Sequence, residues 1–271
     1  LFLRRRSDKV LILGDLHIGW ESSLKEQGMH IPSQTPRLLE KIKKLIDLVC
    51  PTRIILVGDV KHTVAKVGFE EWHDVPNFFK SLLEHVHEIS VIPGNHDGNL
   101  RTLMPKAVDI LPASGLTIAN DVGIIHGHAW PEPKVLGCST IVMGHLHPII
   151  SLTDSLGILS THQVWLRSES AGEILAQGLL KRLRVRKTGD TRGIMKESFD
   201  VNLTNPRCIF LPSFNDLLGG QIINRSLKRS PSKRQYLGPL LRSGGIRMDD
   251  GDVYLLDGSY LGKLGFLQSL S

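Results

Sequence analysis

Five short apolar runs, at residues 9–13, 53–57, 89–92, 123–125 and 140–143, frame the chain, and none of them alternates with polar residues. A strand that alternates buries one face. A run that is apolar throughout is buried on both, as in a parallel sheet covered by helices. Amphipathic segments separate the first three runs. In the first of these segments Thr35 is placed to be an N-cap, with Pro36 at the first helical position. Leu38, Leu39, Ile42, Leu45, Ile46 and Val49 then recur at helical spacing, opposite Lys41, Lys43, Lys44 and Asp47. The second segment reads as a helix following Asp74, with Pro76 in its first turn and Val75, Phe78, Phe79, Leu82, Leu83 and Val86 on its apolar face. Strands alternating with helices define an α/β domain, in which ligands gather at the carboxyl ends of the strands.

The residues just after each run are therefore where chemistry is expected. They are Asp15-Leu16-His17, Gly58-Asp59, Gly94-Asn95-His96-Asp97, His126, and Gly144-His145-Leu146-His147. Asp15 and His17 are one residue apart and, on extended backbone, project to the same side. A carboxylate such as Asp59 can bridge two divalent cations roughly 3.5–4 Å apart. Asn95 offers an amide oxygen, while His126, His145 and His147 offer imidazole nitrogens. Mixed nitrogen and oxygen ligation without thiolate favours two divalent ions of the manganese type, with iron, zinc or nickel as alternatives, over magnesium or calcium. Such a pair points to metal-assisted attack of water on phosphorus.

The order DxH, GD, GNHD, H, GHxH resembles the calcineurin-like metallophosphoesterase superfamily, and every motif of that order stands intact here. The resemblance implies a four-layer α/β/β/α sandwich, with its core motifs in residues 9–150 of a single domain spanning 1–271. It also implies a ligand set of Asp15, His17, Asp59 and His147 for one ion, and Asp59, Asn95, His126 and His145 for the other. His96 then stabilises the transition state and protonates the leaving oxygen, with Asp97 orienting its imidazole. The segment 211–215, Gly219-Gly220 and the late Leu255-Leu256-Asp257-Gly258 are similar to a compact archaeal and bacterial branch, distantly related to SbcD-type repair nucleases.

Outside the motifs, residues 168–204 hold Lys181, Arg182, Arg184, Arg186 and Lys187 and have no evident place in a sheet, so they read as a basic surface insertion, helix or hairpin. Residues 205–223 return to core character, 224–245 read as a mobile basic loop, and 253–258 as the arm of a closing hairpin. Three scattered cysteines without CxxC spacing argue against a disulfide framework or a zinc ribbon, and suit a reducing cytoplasm. No secretory apolar region and no stretch of roughly 20 apolar residues is present, so no membrane partner is expected.

Which ester is cleaved turns on the neighbours of the ligands. Phosphatases of the superfamily clamp a monoester dianion with arginines after the GD motif and before GNH. Here Val60-Lys61-His62 and Pro93 stand in those places. A diester carries less charge and leaves as an alkoxide, so it gains more from a proton donor such as His96. A phosphodiester substrate, DNA or RNA among the candidates, is therefore preferred over a small phosphomonoester. A non-catalytic module binding nucleic acid or protein is the alternative of another class. Lys61 and His62 beside Asp59, and His128 with Trp130 beyond His126, are candidate substrate contacts, the tryptophan by stacking on a base. His30, His73, His85, His87 and His162 are expected to be packed or exposed rather than ligating, and Cys138 to be a buried, inert thiol. A net charge of +6 suits an anionic partner.

Overall fold

The computed structural model describes residues 1–6, 8–225 and 238–270. Most of the basic loop expected at 224–245 lies outside the described residues. The chain divides into two compact units, Leu1–Pro112 with Ser213–Leu218, and Ala113–Pro212 with Gly219–Ser271.

The first unit contains β1 (Phe2–Arg5), β2 (Asp8–Gly14), α1 (Glu21–Lys25), α2 (Thr35–Val49), β3 (Arg53–Val57), α3 (Phe69–Leu83), β4 (Glu88–Ile92) and β5 (Val108–Ile110). Its sheet runs β1-β2-β3-β4-β5, with β1 antiparallel to β2 and the remaining pairs parallel. The apolar runs are buried as expected: Val10, Ile12, Ile54, Val57, Val91 and Ile92 are fully enclosed. Register does the rest. Gly14 lies opposite Val57, and Val57 opposite Ile92, so the three turns that follow leave the sheet at one level.

Two helix starts differ from expectation. The N-cap of α2 is Gln34, and Thr35 is already helical, its hydroxyl donating to Asp74 Oδ2 at 3.0 Å. Helix α3 begins at Phe69 rather than after Asp74. Glu71, in its first turn, accepts the Gly68 N–H at 2.7 Å and so satisfies a donor at the helix start. Pro76 is consequently interior. It removes one ladder bond, and the helix continues because Val75, Phe78, Phe79 and Leu82 are buried on one face.

The second unit contains β6 (Leu116–Ile118), β7 (Val122–Ile125), β8 (Thr140–Met143), β9 (Pro148–Thr153), β10 (Leu159–Ser168), α4 (Gly172–Leu183), α5 (Thr191–Phe199), β11 (Arg207–Phe210), β12 (Gln221–Ile222), α6 (Pro239–Arg242), β13 (Asp252–Leu255), β14 (Tyr260–Lys263) and α7 (Leu264–Ser269). Its sheet runs β12-β9-β10-β11-β8-β7-β6 among the described residues, with the β13–β14 hairpin attached to β10. Ile125 is opposite Met143 in the parallel β7–β8 pair, so the turns carrying His126 and Gly144 also leave together.

The segment 168–204 supplies both α4 and α5. Its lysines and arginines at 181–187 are exposed, as a basic surface requires. Its inner side belongs to the core: Leu175, Ala176, Leu179, Leu180 and Met195 pack with Ile125, Met143, Leu166 and Phe210. Each sheet is thus flanked by helices in a mixed α/β arrangement. No helix among the described residues is long and apolar enough to cross a membrane.

Candidate metal centre

In the first unit the ligand-bearing turns are held in left-handed backbone. Asp15 has φ +59°, His17 +46° and Asp59 +48°. The extended backbone inferred for Asp15 and His17 is therefore not what presents them. The two turns instead bond to each other residue by residue: Asp15 N–H to Gly58 O (3.1 Å), His17 N–H to Asp59 O (2.8 Å), Ile18 N–H to Val60 O (2.8 Å) and His62 N–H back to Ile18 O (3.0 Å). Non-glycine residues adopt such φ at a cost, and strain of this kind concentrates at sites where a side chain must be aimed. Here the result is convergence. Asp15, His17 and Asp59 offer ligand atoms within 4.8 Å of one another, and His17 Nε2 is 3.5 Å from Asp59 Oδ2.

The segment Ser213–Leu218 closes over the same turn. Ser213 Oγ donates to Asp15 O (3.0 Å), Phe214 N–H to Gly14 O (2.9 Å) and Asn215 Nδ2 to Leu16 O (3.2 Å). Residues singled out for their likeness to a branch of the superfamily thus fix the backbone beneath a candidate ligand.

Gly94 explains why the third turn starts with glycine. A Cβ there would stand 2.1 Å from Asp59 Oδ1 and 2.5 Å from the Asp59 nitrogen. With no side chain in the way, His96 N–H donates to Asp59 Oδ1 at 2.8 Å and its Nε2 comes within 4.0 Å of Oδ2. The His96 Nδ1 meets the carbonyl oxygen of His62. Asp97 has a task the sequence did not reveal. Its carboxylate accepts from the N–H groups of Val60 (2.8 Å), Lys61 (3.3 Å) and Gly94 (2.8 Å), tying the second turn to the third. Asn95 stands exposed on the same turn.

Lys61 requires a correction. It is 0% exposed, with its ammonium on the carbonyl of Thr63, so it lies beneath the turn rather than at a rim where substrate could reach it. Burial lowers its pKa from the usual lysine range, against the opposing pull of Glu71, Asp97 and Asp59. His62 is half-buried, 3.2 Å from His17 through their Nδ1 atoms, and forms a possible ligand trio with His17 and His96. Burial and the nearby His96 lower its pKa. Glu71 was missed entirely at the sequence level. It accepts the N–H groups of His62 (2.9 Å) and Thr63 (2.7 Å) as well as that of Gly68, so the start of α3 and the turn after β3 share one carboxylate. The signal was present in its position three residues after Gly68.

The second unit carries an imidazole cluster of its own. His126 is fully buried after β7, and His145 (φ +64°) and His147 (φ +44°) follow β8 in the same left-handed backbone. His126 and His145 offer ligand nitrogens within 4.8 Å, with ring centroids 4.9 Å apart. His128, a candidate substrate contact, lies 5.1 Å from His126 and 6.1 Å from His145 by ring centroids, so it borders the cluster. The His147 carbonyl receives Gln221 N–H at 3.1 Å, and Gly220 lies against it so closely that a Cβ would stand 2.1 Å away. Trp130 packs against the core and half-faces solvent. His30, His73, His85, His87 and His162 are exposed, and Cys138 is buried, as expected.

Carboxylates and imidazoles aimed from strand ends, with no thiolate among them, fit divalent cations of intermediate hardness. The comparisons agree with that chemistry. The model of the calcineurin-like phosphoesterase family matches residues 8–170, and the chain belongs to that family. Among solved structures it is similar to the nuclease MPE of Pseudomonas putida, at 15% identity over 96% of this chain and 99% of that one, with a TM-score of 0.50. It is also similar to YfcE, a phosphoesterase from E. coli, at 16% identity over 55% of this chain and 75% of that one, with a TM-score of 0.34. No curated protein matches.

Proposed function

We propose that the protein is a two-metal phosphodiesterase, a single metallophosphoesterase domain that acts on a nucleic-acid strand. Asp15, His17, Asp59 and His147 would hold one divalent ion, and Asp59, Asn95, His126 and His145 the other, with manganese the preferred metal. The observation that carries this reading is the convergence of Asp15, His17 and Asp59 with His96 against the Asp59 carboxylate. Bound there, such ions acidify water and neutralise charge on phosphorus-bound oxygens. The chain's own residues supply the rest. Asp59 would serve both ions, His96 delivers a proton to the leaving oxygen, and Asp97 keeps the turns of Asp59 and His96 in register.

Diester preference is supported by what surrounds Asp59. Lys61 is buried with its ammonium on the Thr63 carbonyl, and Val60 carries no charge, so neither supplies the cationic clamp that a monoester dianion calls for. A nucleic-acid strand is supported by the exposed cations of 181–187.

Asp59→Asn and His96→Gln are each expected to abolish hydrolysis of an aryl phosphodiester in the presence of manganese. Undiminished turnover in both variants would sink the proposal. Comparing mono- and diester turnover on one preparation separates diesterase from phosphatase. A panel of single-stranded, double-stranded and cyclic nucleotides then tests the substrate class.

A further inference from the structure

The second unit contains a cavity of about 740 Å³ beside the imidazole cluster, and nothing above accounts for it. Its walls include His128 and His145 on one side, and Trp130, Glu132, Arg182 and Arg242 elsewhere. Resting on the reading as a phosphodiesterase, we propose that this cavity binds the nucleotide next to the scissile phosphate: its base against Trp130 and its outer phosphate between Arg182 and Arg242.

Size is the first argument. Sites for small organic ligands run roughly 300–1,000 Å³, and a cavity of 740 Å³ accommodates one nucleotide with room to enter.

The second argument is how the fold builds the walls. Gly178 in α4 leaves a gap in which the edge of the Trp130 indole rests. A Cβ on Gly178 would stand 2.6 Å from Trp130 Cη2 and 3.4 Å from its Cζ2. Ser243, directly after α6, approaches the same point, its Cβ 3.4 Å away. Arg182 lies one helical turn beyond Gly178 on the same face of α4, and Arg242 ends α6. One glycine therefore lets an indole and two guanidinium-bearing elements meet around one space.

The third argument is chemical. Two guanidinium groups recognise a phosphate by paired N–H donors, and an indole offers a planar face to any base. Glu132 is a carboxylate in the same wall, so the lining is not uniformly cationic. That suits a ligand carrying amino or imino donors as well as an anion, which describes a nucleotide better than free phosphate. The exposed Lys181, Arg184, Arg186 and Lys187 continue past Arg182 and give a longer strand a path away from the cavity.

The test compares a 5′-phosphorylated dinucleotide, the same dinucleotide without that phosphate, inorganic phosphate, and an aryl phosphodiester. Binding of the first three is measured on the full chain without added metal, so the result does not depend on turnover. The phosphorylated dinucleotide should bind about tenfold or more tighter than either of the other two. That margin should collapse in Trp130→Ala and in the double variant Arg182→Ala with Arg242→Ala. Trp130→Phe should restore most of it. In turnover, the double variant should lose about tenfold more kcat/KM on the dinucleotide than on the aryl phosphodiester. Equal binding of the three ligands, or a margin unchanged in both variants, overturns the proposal. Failure of the phosphodiesterase reading looks different: no hydrolysis of the aryl ester by the wild-type chain, whatever the binding data show.

Discussion

The two units present their candidate ligand residues by different means. In the first, buried carboxylates hold the turns: Asp97 collects the amides of Val60, Lys61 and Gly94, and Glu71 those of His62, Thr63 and Gly68. In the second, close packing against backbone holds them, as where Gly220 lies on the His147 carbonyl and β12 pairs with β9. Charge divides the same way. On the proposed reading, Asp15 and Asp59 supply carboxylate oxygens, whereas His126, His145 and His147 supply imidazole nitrogens. The first unit should therefore fail through lost hydrogen bonds and misplaced carboxylates, the second through steric displacement.

Among changes that probe this contrast, Gly94→Ala should have the largest effect. A methyl group 2.1 Å from Asp59 Oδ1 cannot coexist with it, and the neighbours are backbone and a short side chain, neither of which can swing clear. Displacing a carboxylate by about 1 Å lowers rates by roughly 100-fold, so turnover of an aryl phosphodiester should drop by at least that factor. Near-normal turnover would mean that the pairing of Asp59 with the third turn is not required. That would remove the reason for regarding the first unit as the more demanding of the two.

Glu71→Ala comes next. The residue is 1% exposed and its carboxylate serves three amides, so truncation leaves buried donors unpaired. Losses of this type amount to about 3 kcal/mol, readable as a lowered midpoint in urea unfolding. Glu71→Gln, which keeps one acceptor oxygen, should fall between. A loss below about 0.5 kcal/mol would contradict the view that carboxylates hold these turns.

That residue also marks where the sequence stopped being legible. The strands, their order and the residues that follow them could be read because continuous apolar runs have few uses and the motifs ride on their ends. The start of α3 was misread because Asp74 and Pro76 resemble a first turn locally. The competing signal, Gly68 with Glu71, acts through backbone amides of a different turn and leaves no periodic trace. Left-handed backbone at Asp15, His17, Asp59, His145 and His147 could not be read at all. No residue type there demands it; at Asp15, His17 and Asp59 the hydrogen bonds between the first two turns go with it. In α4, the exposed cations at 181–187 dominated the reading. Yet Leu175, Ala176, Leu179 and Leu180 carried a helical core stripe that assigned the segment's other face to the interior.

Gly220→Ala is the counterpart in the second unit. A Cβ 2.1 Å from the His147 oxygen and 2.8 Å from Ile149 Cγ2 forces β12 away from β9, at a cost of about 1–3 kcal/mol. Because it does not leave three amides without an acceptor, the loss should be smaller than that of Glu71→Ala. The reverse order of stabilities would overturn the contrast between the units.

Thiol reactivity gives the smallest effect and tests how tightly the second unit closes. Cys50, at the end of α2 in the first unit, is exposed. Cys138 and Cys208, in the second, are buried, and burial pushes their thiols up to about 11 and about 12. A raised thiol pKa means that the reactive thiolate is scarce at neutral pH and becomes abundant only as pH climbs through the raised value. The folded chain should therefore take up one equivalent of a thiol reagent at pH 8, at Cys50, and all three cysteines should react once urea has unfolded it. Raising the pH from 8 to 9.5 should leave the buried pair silent, because both thiols stay protonated below their raised values. Labelling of Cys138 or Cys208 at a rate close to that of Cys50 would show that the second unit opens far below its unfolding transition. Close packing would then be too loose an anchor to aim the histidines.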